Sequence, residues 1–174
     1  MFKADCNQTG IIDFNKYLLK YSDESSSSKI SENYFPADVV IDAYKNGFSD
    51  GKKAKQEDFE SNLYKIHIEK FIEKATKVYL SAKSFADYLK QNNYKAEKFY
   101  LNLFHRNPKV VISIKEELLL DDKFVIFAYT KINEMQNAFL GLFNNTLDIS
   151  LVCNTNLDEE LLQTDGFSYS ENVC

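Results

Sequence analysis

Carboxylates are the side chains in this sequence best suited by type and grouping to carry chemistry. Glu116, Glu117, Asp121 and Asp122 form one group, Asp148 stands alone, and Asp158, Glu159 and Glu160 form another. Sites on α/β sheets form beyond the carboxyl ends of parallel strands. Carboxylates converging there would hold Mg²⁺ for phosphoryl chemistry. One reading is therefore a small metal-dependent enzyme of phosphoryl or nucleic-acid chemistry, with Asp121, Asp122 and Asp148 as ligands. The same acids also suit helix N-termini, where a negative charge is favourable without any ligand. His105-Arg106-Asn107 contains the chain's only arginine. Its guanidinium suits a bidentate anion contact, and a basic residue there equally suits the end of a helix.

Other chemistries lack their motifs. Neither G-x-x-x-x-G-K-[ST] nor G-x-G-x-x-G occurs, and G-x-S-x-G and H-E-x-x-H are absent too. His67 and His105 show no spacing that links them to a nucleophile. Cys6, Cys153 and Cys174 form no C-x-x-C pair and, with the two histidines, have no zinc-ligand spacing. The expectation is no catalytic residue, no structural metal and no cofactor. Three scattered cysteines fit a reducing, cytoplasmic setting better than a disulfide framework.

Composition narrows the class. An apolar fraction of 44% and a charged fraction of 27% in 174 residues are those of a globular chain able to bury a core. The net charge of −5 argues against nucleic-acid binding, and the Lys52, Lys53 and Lys55 cluster reads more simply as a solvated helix face. No run of about 20 apolar residues predicts a membrane span, and the first ten residues lack the apolar run of a signal peptide.

The elements are legible as a helical N-terminal half followed by a small β-α-β-type unit, an α+β fold. Residues 1–35 are expected to be a flexible extension, because residues 23–33 include four consecutive serines and show no apolar period. Within it, Ile11, Phe14, Leu18 and Tyr21 would share one face of a short helix. That face would either pack back on the domain or dock into a partner's groove. Residues 36–106 are expected to be helical. Val40, Tyr44, Gly47, Gly51 and Ala54 follow alternating spacings of four and three. Two glycines on one helix face permit close approach of another helix; as Asn-Gly and Asp-Gly they also suit turns between shorter helices.

Residues 57–89 hold the strongest pattern. Tyr64, Ile68, Phe71, Ala75, Val78, Ala82, Phe85 and Leu89 form a heptad seam, widened by Ile72, Tyr79 and Ala86. Asn92-Asn93 ends it, and residues 95–104 are expected to form a further short helix. From 107 to 174 the expected order is strand (109–114), helix (Asp121-Asp122 to about Phe143), strand (147–153), helical turn (157–162) and edge strand (166–170). The first two strands are expected to be parallel. The helix should bury Phe124, Phe127, Ala128, Met135, Phe139 and Leu142, although residues 124–130 also fit a strand.

The succession of a glycine-spaced helix (Tyr44, Gly47, Gly51), a long amphipathic helix and a small α/β end domain resembles the stator proteins of flagellar and type III secretion ATPases. The local likeness covers about ten residues. The glycine spacing of that family runs through several repeats, whereas here it stops after Gly51, and no residue role is carried over. The leading expectation is a non-catalytic interaction or scaffold protein that meets a protein partner, or a second copy of itself, through helix faces, as in a coiled coil. Its contact residues would be Tyr44, Gly47, Gly51, Phe71, Val78 and Phe85.

Overall fold

The computed structural model describes residues 6–24, 53–155 and 157–173, with side chains described for 10–20 and from 62 onward. It is an α+β fold with helices α1 (Cys6–Glu24), α2 (Lys53–Gln91), α3 (Glu116–Leu119), α4 (Asp122–Phe143) and α5 (Glu159–Thr164). The strands are β1 (Ala96–Asn102), β2 (Lys109–Ile114), β3 (Asp148–Cys153) and β4 (Tyr169–Asn172). They form one four-stranded sheet in the order β3-β2-β1-β4. β1 pairs antiparallel with β2 and β4, and β2 pairs parallel with β3, as the α4 crossover requires.

The apolar seam of α2 explains most of the core. Ala75, Val78, Tyr79, Ala82, Phe85, Ala86 and Leu89 are buried against the inward side chains of the sheet, which alternate as Phe99, Leu101, Val110, Ile112, Ile149 and Leu151. The helix stops where expected. Asn93 takes a left-handed φ of 65°, and the Tyr94 N–H closes onto the Leu89 carbonyl at 2.9 Å. α4 lies beside α2 with Phe124, Ala128, Ile132 and Phe139 buried. Asp121 caps it by accepting from the Lys123 N–H, so residues 124–130 are helix. Leu142, expected inside, is 69% exposed, and Ile132 is buried instead.

Residues 95–104 correct the expected short helix. Phe99 and Leu101 alternate with Tyr100 and Asn102, a period of two, and β1 is central with a hydrogen-bonded partner on each side. Two ladders outweigh a weak local propensity. The sheet therefore begins at Ala96, inside the stretch expected to be helical throughout. β4 is the expected edge strand, displaced toward the C-terminus.

α1 packs against the fold. Phe14 and Leu18 belong to the core, whereas Ile11, assigned to the same face, is 41% exposed. β3 and β4 sit at opposite edges, so the chain between them must cross the sheet. It does so on the outer face, where α5 is pinned by Glu159 to Lys98 and to the Tyr100 hydroxyl. The Asn102 side chain donates to the Asp165 carbonyl there as well.

Candidate functional site

Tyr44, Gly47 and Gly51 lie outside the described residues. Val78 and Phe85 are fully buried in the chain's own core. The sheet and α4 already use the surface they were expected to offer a partner, because the seam faces inward from Ala75 onward. Phe71 sits at the boundary, half-buried and stacked on Phe104 with ring centroids 5.4 Å apart. Among the described side chains of α2, none before Ala75 is fully buried, and Ile66 is 46% exposed.

The carboxylates expected to share a metal do not converge. β2 and β3 run parallel with Lys109 opposite Asp148 and Ile114 opposite Cys153. Asp148 thus stands at the start of its strand, whereas Asp121 and Asp122 follow the far end of β2. Six residues of strand rise by roughly 17 Å between those ends. Asp121 and Asp158 serve as helix caps, and Glu159 is tied to Lys98 and Tyr100. Among the described residues no group of three metal-ligating side chains occurs.

The His105-Arg106-Asn107 segment forms the β1–β2 loop. His105 Nδ1 lies 2.9 Å from the Asn107 carbonyl. The Arg106 carbonyl accepts from Lys74 Nζ at 3.0 Å and from the Asn145 side chain at 2.7 Å. Desolvation holds the Lys74 ammonium below its ordinary pKa. These bonds anchor the loop through its backbone and leave the Arg106 side chain in solvent. His67 is exposed on α2. Cys153 is half-buried, with the Thr155 N–H donating to its sulfur at 3.3 Å.

A polar cluster that the sequence reading did not find joins α1, α2 and β4. Glu171 points inward from β4 and is 14% exposed. It accepts from the Tyr79 hydroxyl at 3.0 Å, from the Tyr169 hydroxyl at 2.9 Å and from Lys83 Nζ at 2.7 Å. Gly10 of α1 covers it, and a Cβ there would come within 2.8 Å of the Glu171 Cδ. Lys83 also lies over the Tyr79 ring, 5.8 Å from its centroid. The signal available in the sequence was Gly10 itself, an isolated glycine in an amphipathic stretch, which calls for a packing reason. The arrangement fastens the first helix to the edge strand, with each polar atom of the carboxylate satisfied inside the protein.

The same cluster makes stability alkali-sensitive. Burial first, and then hydrogen bonding to and repulsion by Glu171, push the Tyr79 and Tyr169 hydroxyls well above the usual 10.0. Burial and Glu159 do the same to Tyr100. A raised folded pKa means that the folded state holds its proton after the unfolded chain has lost it. This contribution is complete below pH 10 and is lost as pH rises above it. Each of these tyrosines then costs up to about 1.4 kcal/mol per pH unit. We expect urea midpoints to fall steeply above pH 10, with tyrosinate absorbance of these residues appearing only as the protein unfolds. Tyrosines that all titrate near pH 10 in the folded state would contradict this.

Among the described residues, no helix is long and apolar enough to cross a membrane. Compared with family models, curated proteins and solved structures, the chain finds no match.

Proposed function

We propose that the chain is a non-catalytic interaction or scaffold protein that meets a protein partner through the N-terminal reach of α2. The observation that carries this reading is the length of that helix. Its 39 residues extend about 58 Å at 1.5 Å per residue, while the buried stretch Ala75–Leu89 accounts for only about 21 Å on the same rise. Ahead of Ala75 no described side chain of this helix is fully buried, and this N-terminal stretch is the arm. Phe71 stands at its base, and Tyr44, Gly47 and Gly51 precede the helix in the sequence. The metal-enzyme alternative lost its geometric basis when Asp148 proved to lie at the opposite end of the sheet from Asp121 and Asp122. A net charge of −5 with a single arginine gives no support to a nucleic-acid partner.

The test places a photo-activatable residue at Lys65, Ile66, Glu69 or Lys70 on the arm, in the cells that make the protein. A control carries it at Glu160 on α5. A discrete protein adduct from arm positions, absent from the control, is the expected result. No adduct, or equal adducts from both places, would overturn the assignment of the arm.

A further inference from the structure

The sheet treats its two edges differently. β4 is short, polar and flanked by α1, with the Tyr17 hydroxyl bonded to Ser168 just ahead of it. β3 has six residues, Asp-Ile-Ser-Leu-Val-Cys, without a proline or lysine. Its phase is fixed at both ends, because the Asp148 N–H donates to the Pro108 carbonyl and the Asn154 N–H to the Ile114 carbonyl. Asp148, Ser150 and Val152 therefore turn their backbone groups to β2. Ile149, Leu151 and Cys153 turn theirs outward, where no described group bonds to them. Charged residues, prolines, bulges or a covering element are the usual protection for such an edge. Here the strand carries one charge, Asp148, at its start.

α4 continues this edge with apolar surface. One flank of α4 faces α2, where Phe127 stacks on Tyr88 and Lys131 lies over the same ring. At 3.6 residues per turn, Val125, Tyr129, Gln136 and Leu140 fall on the opposite flank, above the free side of β3. Tyr129 and Leu140 are each 44% exposed there.

We propose that this edge pairs antiparallel with β3 of a second copy, joining two sheets into one. The edge is self-complementary about Leu151. A two-fold axis there sets Leu151 opposite Leu151 and Ile149 opposite Cys153, so every outward N–H and carbonyl of these residues gains a partner. On the outer face Ser150 meets Val152, and Asp148 meets Asn154, so no like charges oppose one another. The same axis brings the two α4 flanks together and covers Tyr129 and Leu140, the isologous geometry of a two-fold dimer. This surface is separate from the α2 arm and does not depend on it.

The experiment compares the full chain with a Tyr129→Glu, Leu140→Glu variant by sedimentation across a concentration series and by residue-resolved amide exchange. Both substitutions are on exposed positions, and far-UV circular dichroism and thermal melting verify that the variant folds. The expected result is a wild type whose mass doubles with concentration while the amides of Ile149, Leu151 and Cys153 become protected. The variant should remain monomeric, with those amides exchanging fast. A wild type that is monomeric at every concentration would overturn the proposal. A dimer in which those three amides exchange as fast as in the variant would overturn it too, since association would then run through another surface.

Discussion

Glu171→Ala lowers the free energy of unfolding by about 3–5 kcal/mol, the usual penalty for removing one member of a buried ion pair. The magnitude follows from what is left behind. Lys83, 15% exposed, loses its 2.7 Å carboxylate partner. The Tyr79 and Tyr169 hydroxyls lose their acceptor in the same stroke. Neither the cation–π contact of Lys83 nor its long 3.5 Å approach to the Tyr79 hydroxyl replaces a carboxylate. Adding Lys83→Met should recover part of the loss, because the orphaned charge leaves with its partner. Urea denaturation of the two single variants and the double variant measures this directly. Losses that simply add would show that Lys83 and Glu171 are independent. Gly10→Ala reads out the same pocket with its sign reversed from the ordinary. In an open helix the change stabilises by roughly 1 kcal/mol, but here the new methyl displaces the Glu171 carboxylate from its three donors, so a net loss is expected.

The spacing of α2 showed which of its faces turns inward, but not how far the partner surface reaches. The 4-3-4-3 spacing of α2 is the same before and after Ala75, yet burial is complete only from Ala75 on. That boundary depends on the length of strands more than 20 residues away in the chain, and no periodicity encodes it. For this reason Val78 and Phe85 looked equivalent to Phe71 as contact residues. β1 failed differently. Phe99 and Leu103 fit a helical spacing, while Phe99, Leu101 and Leu103 fit a strand spacing. The decision belongs to β2 and β4, which hold β1 from both sides. β2, by contrast, carries a local signal strong enough to stand alone, a β-branched run after Pro108, while in α4 the Asp cap and helical stripe competed with a strand reading of residues 124–130 that the structure resolves as helix. The Glu171 cluster was beyond reach because its members are scattered; Tyr79 and Glu171 are 92 residues apart. Types and spacings can suggest that a carboxylate is available, but only the sheet order shows that Asp148 and Asp121 never meet and that Glu171 meets Tyr79.

Phe14→Ala tests whether α1 is an extension or part of the core. Phe14 is fully buried. Its ring stacks on Tyr79 with centroids 4.2 Å apart and planes at 11°, and the edge of Tyr169 meets it at 5.0 Å. Truncating a buried phenylalanine to alanine typically costs about 3–5 kcal/mol, through lost transfer energy and an unfilled cavity. Each aromatic pair contributes about 0.5–1.5 kcal/mol beyond area alone. The serine-rich run after α1 suggests a tethered helix that comes and goes, and in that case the loss would stay local. Amides of α1 would exchange faster while those of β1 and β2 kept their protection, and the melting temperature would hold. The packing predicts a different outcome. Phe14 bridges a ring of α2 and a ring of β4, so its cavity opens between the helix and the edge of the sheet. The hydrogen-exchange free energies of α1, of the Ala75–Leu89 stretch and of β1 should therefore fall together, by the same amount as the global unfolding free energy. A decrease confined to α1, with the sheet amides and the urea midpoint unchanged, would show that the first helix is an accessory despite its buried ring.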